Sequence, residues 1–475
     1  MRLRLTAAGL AVAAVLAGCT SGDGADGPRP APSGSTIAEE YAAAVSAPVE
    51  DSVYPAAGDP GVDALHYDLE LTWDNDARVL SGEQQLVFRA TATAPAFRLD
   101  LSEQLATTEV TLDGKPVAVR REGKDLVVDA PVRADAVHTL ALDYAGTPQP
   151  VPAPSRRGDT EPLGLTVDSR GGLWTMQEPY GAYTWYAVND QPSDKALYDI
   201  TVHAPGDWIG VANGVLESRE TTDGRTTTHW RLDDPAAAYL VTLAVGAYTL
   251  TEATGPRGLP ITYWVPADDP GLVNDLERTP ELLAWLEERL GPYPFDALGI
   301  VVVESESGME TQSMITLGDD GLSTAPEVIV HELAHQWYGD LVTPADWRDV
   351  WMNEGMATYL QGVWQDEAWQ LPPGESITEW ARLEPRERRE SGPPGAYDPG
   401  RFADQNVYFG PAVMWHRLRS LVGDEAFWRL VREWPAARAG RSTTREDYVA
   451  WVNEQLGEDL TAFFTAWLTS PTTPR

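Results

Sequence analysis

The chain of 475 residues is long enough for two or three domains, and 43% of its residues are hydrophobic, as in globular proteins. Its 72 acidic residues outnumber its 35 basic residues and give a formal net charge of −37. Because nucleic-acid binding depends on a basic surface, this balance argues against nucleic acid as a partner.

The N-terminus has the features of an export signal. Arg2 and Arg4 precede an apolar run over residues 5–17, which is too short to cross a bilayer but typical of a signal peptide. The run ends at residues 16–19 (LAGC), which resemble a bacterial lipobox. Such a motif implies lipid modification of Cys19 and an extracytoplasmic protein anchored to the membrane through that lipid. The alternative is a plain secretory signal and a secreted protein.

We therefore divide the N-terminal region into two parts. Residues 1–19 are the predicted lipoprotein signal peptide with its lipobox, and residues 20–54 are a flexible tether and the lead-in to the folded body. Residues 20–35 are rich in Gly, Pro, Ser and Asp and contain almost nothing that a core would bury. Cys19 is the only cysteine, so the sequence offers no pair for a disulfide.

Residues 55–250 have the pattern of a β-rich domain. The side chains of Tyr67, Leu69, Leu71 and Trp73 alternate with polar residues, as in a strand with one buried face. Residues 110–119 predict a hairpin with an Asp-Gly turn. Short strands separated by turn residues recur along this stretch and predict a β-sandwich-like domain.

A mainly helical domain is predicted for residues 251–475. Residues 280–290 predict an amphipathic helix that ends at a Gly-Pro pair, and residues 298–303 predict an apolar strand buried in a sheet. The remainder is predicted to consist of helices joined by Pro-, Gly- and Arg-rich connections, such as residues 385–400. The two halves together predict an α+β fold.

His331, Glu332 and His335 form the motif H-E-x-x-H. Histidines four residues apart lie on one face of a helix, so both imidazoles can reach one metal ion. Glu354 is the predicted third ligand, on a second helix over residues 349–361 that intervening turn residues allow to fold back. Two imidazoles and a carboxylate leave an open position for water, as catalytic zinc requires. The pattern predicts one zinc ion per chain in a hydrolase site.

The metal stretch and residues 307–312 (SGMETQ) resemble the aminopeptidase N family of zinc metallopeptidases. Further matches to the family are residues 177–179 with 185–195, residues 291–295 and residues 459–471. The resemblance covers about residues 55–471. It implies a β-sandwich-like N-terminal domain followed by a thermolysin-like, mainly helical zinc-peptidase domain. The large helical C-terminal domain of many relatives has no counterpart in this sequence, so a short form with a more open cleft is expected.

The resemblance also implies catalytic roles. The metal ligands would hold zinc, Glu332 would accept a proton from the attacking water, and a tyrosine would stabilise the oxyanion. The family carries this tyrosine in Tyr-x-Lys/Arg-Gly-Ala, and Tyr408 lies in the corresponding segment, ahead of a helix predicted for residues 412–421. Gly410 stands where the basic residue is usual and Pro411 where the glycine is, so the sequence leaves the aim of Tyr408 open.

Substrate recognition is implied in the same way. Glu310 would bind the α-ammonium of a peptide with a free N-terminus, and Glu178 would be its partner, with Gln177 as the alternative. Gly308 would let the substrate backbone lie close, and Met309 would line the substrate site. At the next position the family commonly has asparagine, but this chain has Thr311.

Three functions are compatible with these residues. The favoured one is a zinc aminopeptidase that removes N-terminal residues from peptides. A zinc endopeptidase would keep the metal chemistry but would have no use for Glu310 and Glu178. A catalytically inactive binding lipoprotein would have no chemical reason to keep the metal ligands and Glu332 together.

Overall fold

The computed structural model describes residues 37–157 and 161–474. The predicted signal peptide with Cys19, and residues 20–36 of the predicted tether, lie outside this part of the chain. Residues 37–54 pack against the folded body. The N–H of Ser46 donates to Asp63 Oδ1 (2.9 Å), and the N–H of Ser52 donates to Asp346 Oδ2 (2.9 Å). The lead-in therefore contacts both halves of the chain.

Alternating burial builds the strands of the N-terminal half. In the strand Val62–Asp74 the alternate side chains from Tyr67 to Trp73 are buried, which confirms the prediction of one buried face. The predicted hairpin is also confirmed, because Thr111 pairs with Pro116 across a turn. Asp113 and Gly114 in that turn both have positive φ (52° and 72°), as this type of two-residue loop requires.

The strands of this half form three sheets within the described residues. In chain order they are β1 (Val62–Asp74), β2 (Val79–Ala90), β3 (Phe97–Asp100), β4 (Leu105–Leu112), β5 (Lys115–Pro116), β6 (Val119–Glu122), β7 (Asp125–Val128), β8 (Val137–Gly146), β9 (Gly164–Val167), β10 (Leu173–Met176), β11 (Lys195–Pro205), β12 (Ile209–Ala212), β13 (Val215–Thr222), β14 (Arg225–Ala237) and β15 (Leu243–Gly246). The sheet orders are β13-β14-β11-β1-β2-β8-β4-β5, β12-β15-β10-β9 and β3-β7-β6. One hydrophobic core, with Leu69, Leu99, Trp174 and Val211 among its members, joins all three.

A further sheet begins at β16 (Tyr248–Thr254), which spans the expected domain boundary at residue 250. Its pairing with the next strand assigns it to the second half of the chain. The remaining strands are β17 (Pro260–Pro266), β18 (Leu298–Val303), β19 (Gly308–Met309), β20 (Met314–Gly318), β21 (Val342–Pro344) and β22 (Arg441–Thr443). The main sheet has the order β16-β17-β18-β20-β19. Every residue of β18 is buried and both its neighbours run parallel to it, so the predicted buried strand is confirmed.

Helices make up most of the rest of this half. They are α1 (Val273–Leu276), α2 (Thr279–Leu290), α3 (Pro326–His335), α4 (Trp351–Ala368), α5 (Glu375–Ser391), α6 (Gln405–Val422), α7 (Asp424–Ala437), α8 (Arg445–Leu456) and α9 (Thr461–Thr469). The predicted amphipathic helix corresponds to α2. With the sheet-rich first half, these helices confirm the predicted α+β class.

Two predictions at helix ends are wrong. Residues 385–391 belong to α5 and not to a connection, because a buried ion pair between Glu384 and Arg388 spans Pro385 and packing on the neighbouring helices holds the turn. The helix predicted from residue 412 begins at Gln405, so Tyr408 lies inside α6. The sequence predicts helix boundaries at Pro385 and Pro411, but both prolines lie in helix interiors.

The two halves meet at an apolar interface. The second core contains Leu283, Ile300, Leu333 and Trp415, whereas Trp347 from the helical half joins the core of the N-terminal domain. Within the described residues, no helix combines the length and the apolar character needed to span a membrane.

Candidate active site

The motif H-E-x-x-H lies on α3, a helix with a well-defined start. Pro326 occupies the first turn, where its missing N–H costs nothing, and Glu327 places a negative charge at the positive end of the helix. The apolar residues beside the motif positions, including Val330 and Leu333, are buried in the second core. This anchoring turns His331, Glu332 and His335 toward the cavity between the domains.

Three metal-ligand atoms converge between α3 and α4. His331 Nε2 lies 3.2 Å and His335 Nε2 lies 3.4 Å from the same oxygen, Glu354 Oε2. One ligand atom of each residue falls within 4.8 Å of the others. Two imidazoles and a carboxylate in this arrangement fit a zinc ion, with room for further ligands on the cavity side.

The other ring nitrogens of both histidines have partners that fix the rings. His331 Nδ1 lies 3.2 Å from Oε1 of Gln361 on α4. His335 Nδ1 lies 3.0 Å from the backbone oxygen of Tyr338. Both partners accept hydrogen bonds, so with a metal ion bound each Nδ1 would carry the hydrogen and each Nε2 would present a lone pair to the ion.

The electrostatics of the cluster favour a cation. Although burial raises the pKa of the Glu354 carboxyl, hydrogen bonds from His331 and His335 outweigh it and hold that pKa below its usual range. At His335 burial lowers the pKa, but the carboxylates of Glu310 and Glu354 outweigh it and raise that pKa well above its usual value. Buried negative charge on this scale requires positive charge nearby.

Gly308 lies directly against the side chain of Glu332. A Cβ on Gly308 would lie 2.7 Å from Glu332 Oε1, so only glycine leaves the carboxylate its present position. Burial raises the pKa of Glu332 well above its usual value, and the positive charge of a zinc ion held by its neighbours would lower that pKa again and favour the carboxylate that a general base requires.

Glu178 and Glu310 place two carboxyl groups beside the metal ligands. In each, Oε1 is buried and has no hydrogen-bond partner among the described residues. Burial raises the pKa of both, and at Glu178 the charge of Glu310 adds to the effect. Together with Glu332 and Glu354 they line one cavity of about 680 Å³. A positively charged ligand group would satisfy both oxygens.

The alternative at this position, Gln177, has its side-chain amide bonded to the protein. Its Nε2 donates to the backbone oxygens of Ala238 (2.9 Å) and Val241 (2.6 Å), and its Oε1 accepts from Trp185 Nε1 (2.9 Å). The geometry therefore favours Glu178 over Gln177 as the partner of Glu310.

The side chain of Met309 points into the cavity, whereas that of Thr311 points into the protein interior. Met309 lines the cavity with an exposed fraction of 5%. The Thr311 hydroxyl donates to the backbone oxygen of Met314 and lies 3.0 Å from Thr316 Oγ1, inside the protein. The departure from asparagine at this position therefore places no side-chain donor in the cavity.

Tyr408 projects from α6 to the metal ligands. Its hydroxyl donates to Glu354 Oε1 (3.0 Å), and its ring lies 6.0 Å from that of His331 in a stacked orientation. The guanidinium of Arg157, from the N-terminal domain, lies 5.3 Å from the ring centre. The geometry brings Tyr408 to the site despite Gly410 and Pro411.

Sequence reasoning missed Arg157 and Gln361. Gln361 lies seven positions, or two helical turns, after Glu354 on the same face of α4. This spacing could have predicted that Gln361 lies near the metal ligands. Arg157 belongs to none of the motifs, and only the packing of the two domains brings it to Tyr408.

Comparisons with known proteins agree with this architecture. Residues 63–240 match the peptidase M1 N-terminal domain, and residues 274–467 match the peptidase family M1 domain. The aminopeptidase N of Streptomyces lividans is 29% identical over 64% of this chain and 38% of its own length. The glutamyl aminopeptidase of Sus scrofa is 24% identical over 74% of this chain and 41% of its own length. The chain thus spans about two fifths of the length of these relatives.

A solved structure of similar extent is the M1 zinc metallopeptidase of Deinococcus radiodurans, as a mutant bound to a Tyr-Ser-Ala substrate. It is 28% identical, covers 90% of this chain and 99% of its own, and superposes with a TM-score of 0.81. With both of its domains matched, the chain belongs to peptidase family M1, the aminopeptidase N family of zinc metallopeptidases.

Proposed function

We propose that this protein is a zinc-dependent aminopeptidase that hydrolyses the N-terminal residue from peptides. The observation that carries the proposal is a pair of buried carboxyl oxygens on Glu178 and Glu310, beside the metal ligands, that have no hydrogen-bond partner in the part of the chain that the structure describes. A free α-ammonium carries three donors and a positive charge, so it supplies what both oxygens lack. An endopeptidase substrate has no such group at the scissile bond.

His331, His335 and Glu354 would hold the zinc. Bound there, zinc would polarise the scissile carbonyl and lower the pKa of a water. Glu332 lines the same cavity as the metal ligands and, as a carboxylate, would accept the proton of the attacking water and return it to the leaving amine. The Tyr408 hydroxyl, 3.0 Å from Glu354, lies beside the ligands as a donor for the oxyanion.

The test is hydrolysis of aminoacyl p-nitroanilides, each with and without an N-terminal acetyl group, by protein lacking residues 1–19. We expect cleavage of free-amine substrates only, loss of activity with a chelator, and a fall of about a hundredfold or more in kcat for Glu332→Gln. Glu310→Gln should raise KM, while Glu277→Gln, which alters an exposed carboxylate away from this cavity, should not. Equal cleavage of acetylated substrates would establish an endopeptidase, and no cleavage with zinc bound would favour a binding protein.

We also propose that the mature protein is extracytoplasmic and anchored to the membrane by a lipid on Cys19. The support is the sequence alone: a charged start, a short apolar run and the segment LAGC at residues 16–19. Cells expressing the full chain should incorporate a labelled fatty acid into the protein and retain it in the membrane fraction. Cys19→Ser should abolish the label. Unlabelled wild-type protein in the medium would instead support secretion.

A further inference from the structure

We infer that Arg157 of the N-terminal domain is a positioning residue for Tyr408, so that both domains contribute to the catalytic geometry. The inference rests on the proposed function, because it assigns Arg157 a part in the same reaction. The inference is based on one contact: the guanidinium carbon of Arg157 lies 5.3 Å from the centre of the Tyr408 ring. A cation over the face of an aromatic ring is attracted by the electron density of that face.

The loop that carries Arg157 is also tied to the start of α6. Arg157 Nη1 donates to the backbone oxygen of Ala403 (2.9 Å), and the N–H of Phe402 donates to the backbone oxygen of Pro154 (2.8 Å). Ala403 and Phe402 lie just before the helix that bears Tyr408. The same loop therefore fixes both the approach to α6 and the ring that projects from its first turns.

Helix α6 has no basic side chain at position 410, two residues after Tyr408, because that residue is Gly410. A Cβ on Gly410 would lie 2.8 Å from Pro394 Cγ, so a longer side chain does not fit there. Arg388, on α5, is the other arginine close to this position, but it is paired with Glu384 and donates to the backbone oxygens of Trp467 and Ser470 (2.9 Å each). Among the described residues, Arg157 is the arginine placed over the face of the Tyr408 ring, 5.3 Å from its centre.

The consequence concerns the direction of the hydroxyl. Tyr408 rotates about its side-chain bonds unless its ring is held, and its ring neighbours include His331 at 6.0 Å. A donor for an oxyanion acts only when it is aimed correctly, and a misplacement of about 1 Å can cost about a hundredfold in rate. Loss of Arg157 should therefore lower kcat and leave KM nearly unchanged, because Tyr408 acts mainly in the transition state.

The experiment is a double-mutant cycle on protein lacking residues 1–19. Arg157→Ala should lower kcat about tenfold, and Arg157→Lys should restore part of the loss because it keeps the charge without the planar group. In a Tyr408→Phe background, Arg157→Ala should cause no further loss. Arg156→Ala, which removes the exposed neighbouring arginine, is the matched control. A crystal structure of metal-free Arg157→Ala should show the Tyr408 hydroxyl displaced from Glu354 Oε1, which lies 3.0 Å away in the native chain.

Several outcomes would overturn the inference. An equal loss of kcat from Arg157→Ala in both backgrounds would mean that Arg157 acts on substrate or on the fold instead. A rise in KM alone would make it a substrate-binding group. Full activity of Arg157→Ala would leave the proposed function standing without this residue. An inactive wild-type enzyme would overturn the proposed function and the inference together.

Discussion

Gly355 on α4 and Pro411 on α6 are in direct contact, since a Cβ on Gly355 would lie only 2.2 Å from the Cβ of Pro411. Gly355 follows the predicted metal ligand Glu354, and Pro411 lies one turn after Tyr408. This contact therefore sets the separation of the two helices where the Tyr408 hydroxyl donates to Glu354. Pro411 stands where the family has glycine, and in this chain it packs against Gly355.

Gly355→Ala should force the two helices apart. We expect the free energy of unfolding to fall by about 1–3 kcal/mol, as for overpacking in other cores. We also expect kcat to fall, because Tyr408 and Glu354 separate. Urea denaturation and steady-state kinetics measure the two effects. Gly321→Ala is the control, since no atom of the described residues lies within 4 Å of a Cβ at that position. If Gly355→Ala had the stability and the kcat of the native protein, the contact would not set the separation of the two helices.

Gly308→Ala should displace Glu332 while leaving the metal ligands in place. The new Cβ would lie 2.7 Å from Glu332 Oε1, so either the carboxylate or the loop must move. A shift of this size in a general base should lower kcat by about tenfold to a hundredfold. Kinetics should show the loss, and zinc analysis should show one equivalent still bound. If the variant lost zinc, the substitution would have displaced the metal ligands and not only Glu332.

The sequence predicts part of the site well, because helical periodicity is a local property. The spacing of His331 and His335 puts both on one face of a helix whatever the rest of the chain does. Glu354 follows because its helix folds back on α3. For Arg157 no local signal exists, since only contacts between residues far apart in sequence bring it to the tyrosine.

The errors at prolines have a common physical origin. Proline lacks an N–H and usually ends a helix, so Pro385 and Pro411 suggested boundaries. In the fold, packing of α5 and α6 against α4 stabilises both helices beyond that local cost. Buried contacts such as the ion pair of Glu384 with Arg388 across Pro385 contribute. A local rule fails where tertiary packing is strong.

Gln361 should tune zinc affinity through His331. Its Oε1 accepts from His331 Nδ1 (3.2 Å), and partners of this kind fix the ring and the tautomer of a metal-binding histidine. Gln361→Leu should weaken zinc binding by about tenfold to a hundredfold, as for comparable partners elsewhere. Competition with a chromogenic chelator measures the affinity. Gln405→Leu, which alters another glutamine of the cavity wall, should have little effect on it. Equal affinity in Gln361→Leu and the native protein would contradict the role.

Asp190 should make the stability of the protein depend on pH. It is 1% exposed, and burial raises its pKa from 3.8 to about 7, with a contribution from the charge of Asp100. Hydrogen bonds from the N–H groups of Gly181 (2.8 Å) and Tyr183 (3.4 Å) act in the opposite direction. Between about pH 4 and about pH 7 the folded state therefore keeps a proton that the unfolded chain releases. The contribution of Asp190 to stability is full below this window and is lost as the pH rises through it.

Asp190→Asn isolates this contribution, because asparagine keeps an oxygen acceptor for the same N–H groups but has no proton to lose. Urea denaturation of both proteins should show the native chain losing free energy of unfolding relative to the variant as the pH rises from about 4 to about 7. Asp207→Asn, a substitution at an exposed aspartate, controls for the change in net charge. A constant difference between Asp190→Asn and the native chain across the window would mean that Asp190 is ionised in the folded protein throughout, with its two N–H partners outweighing its burial.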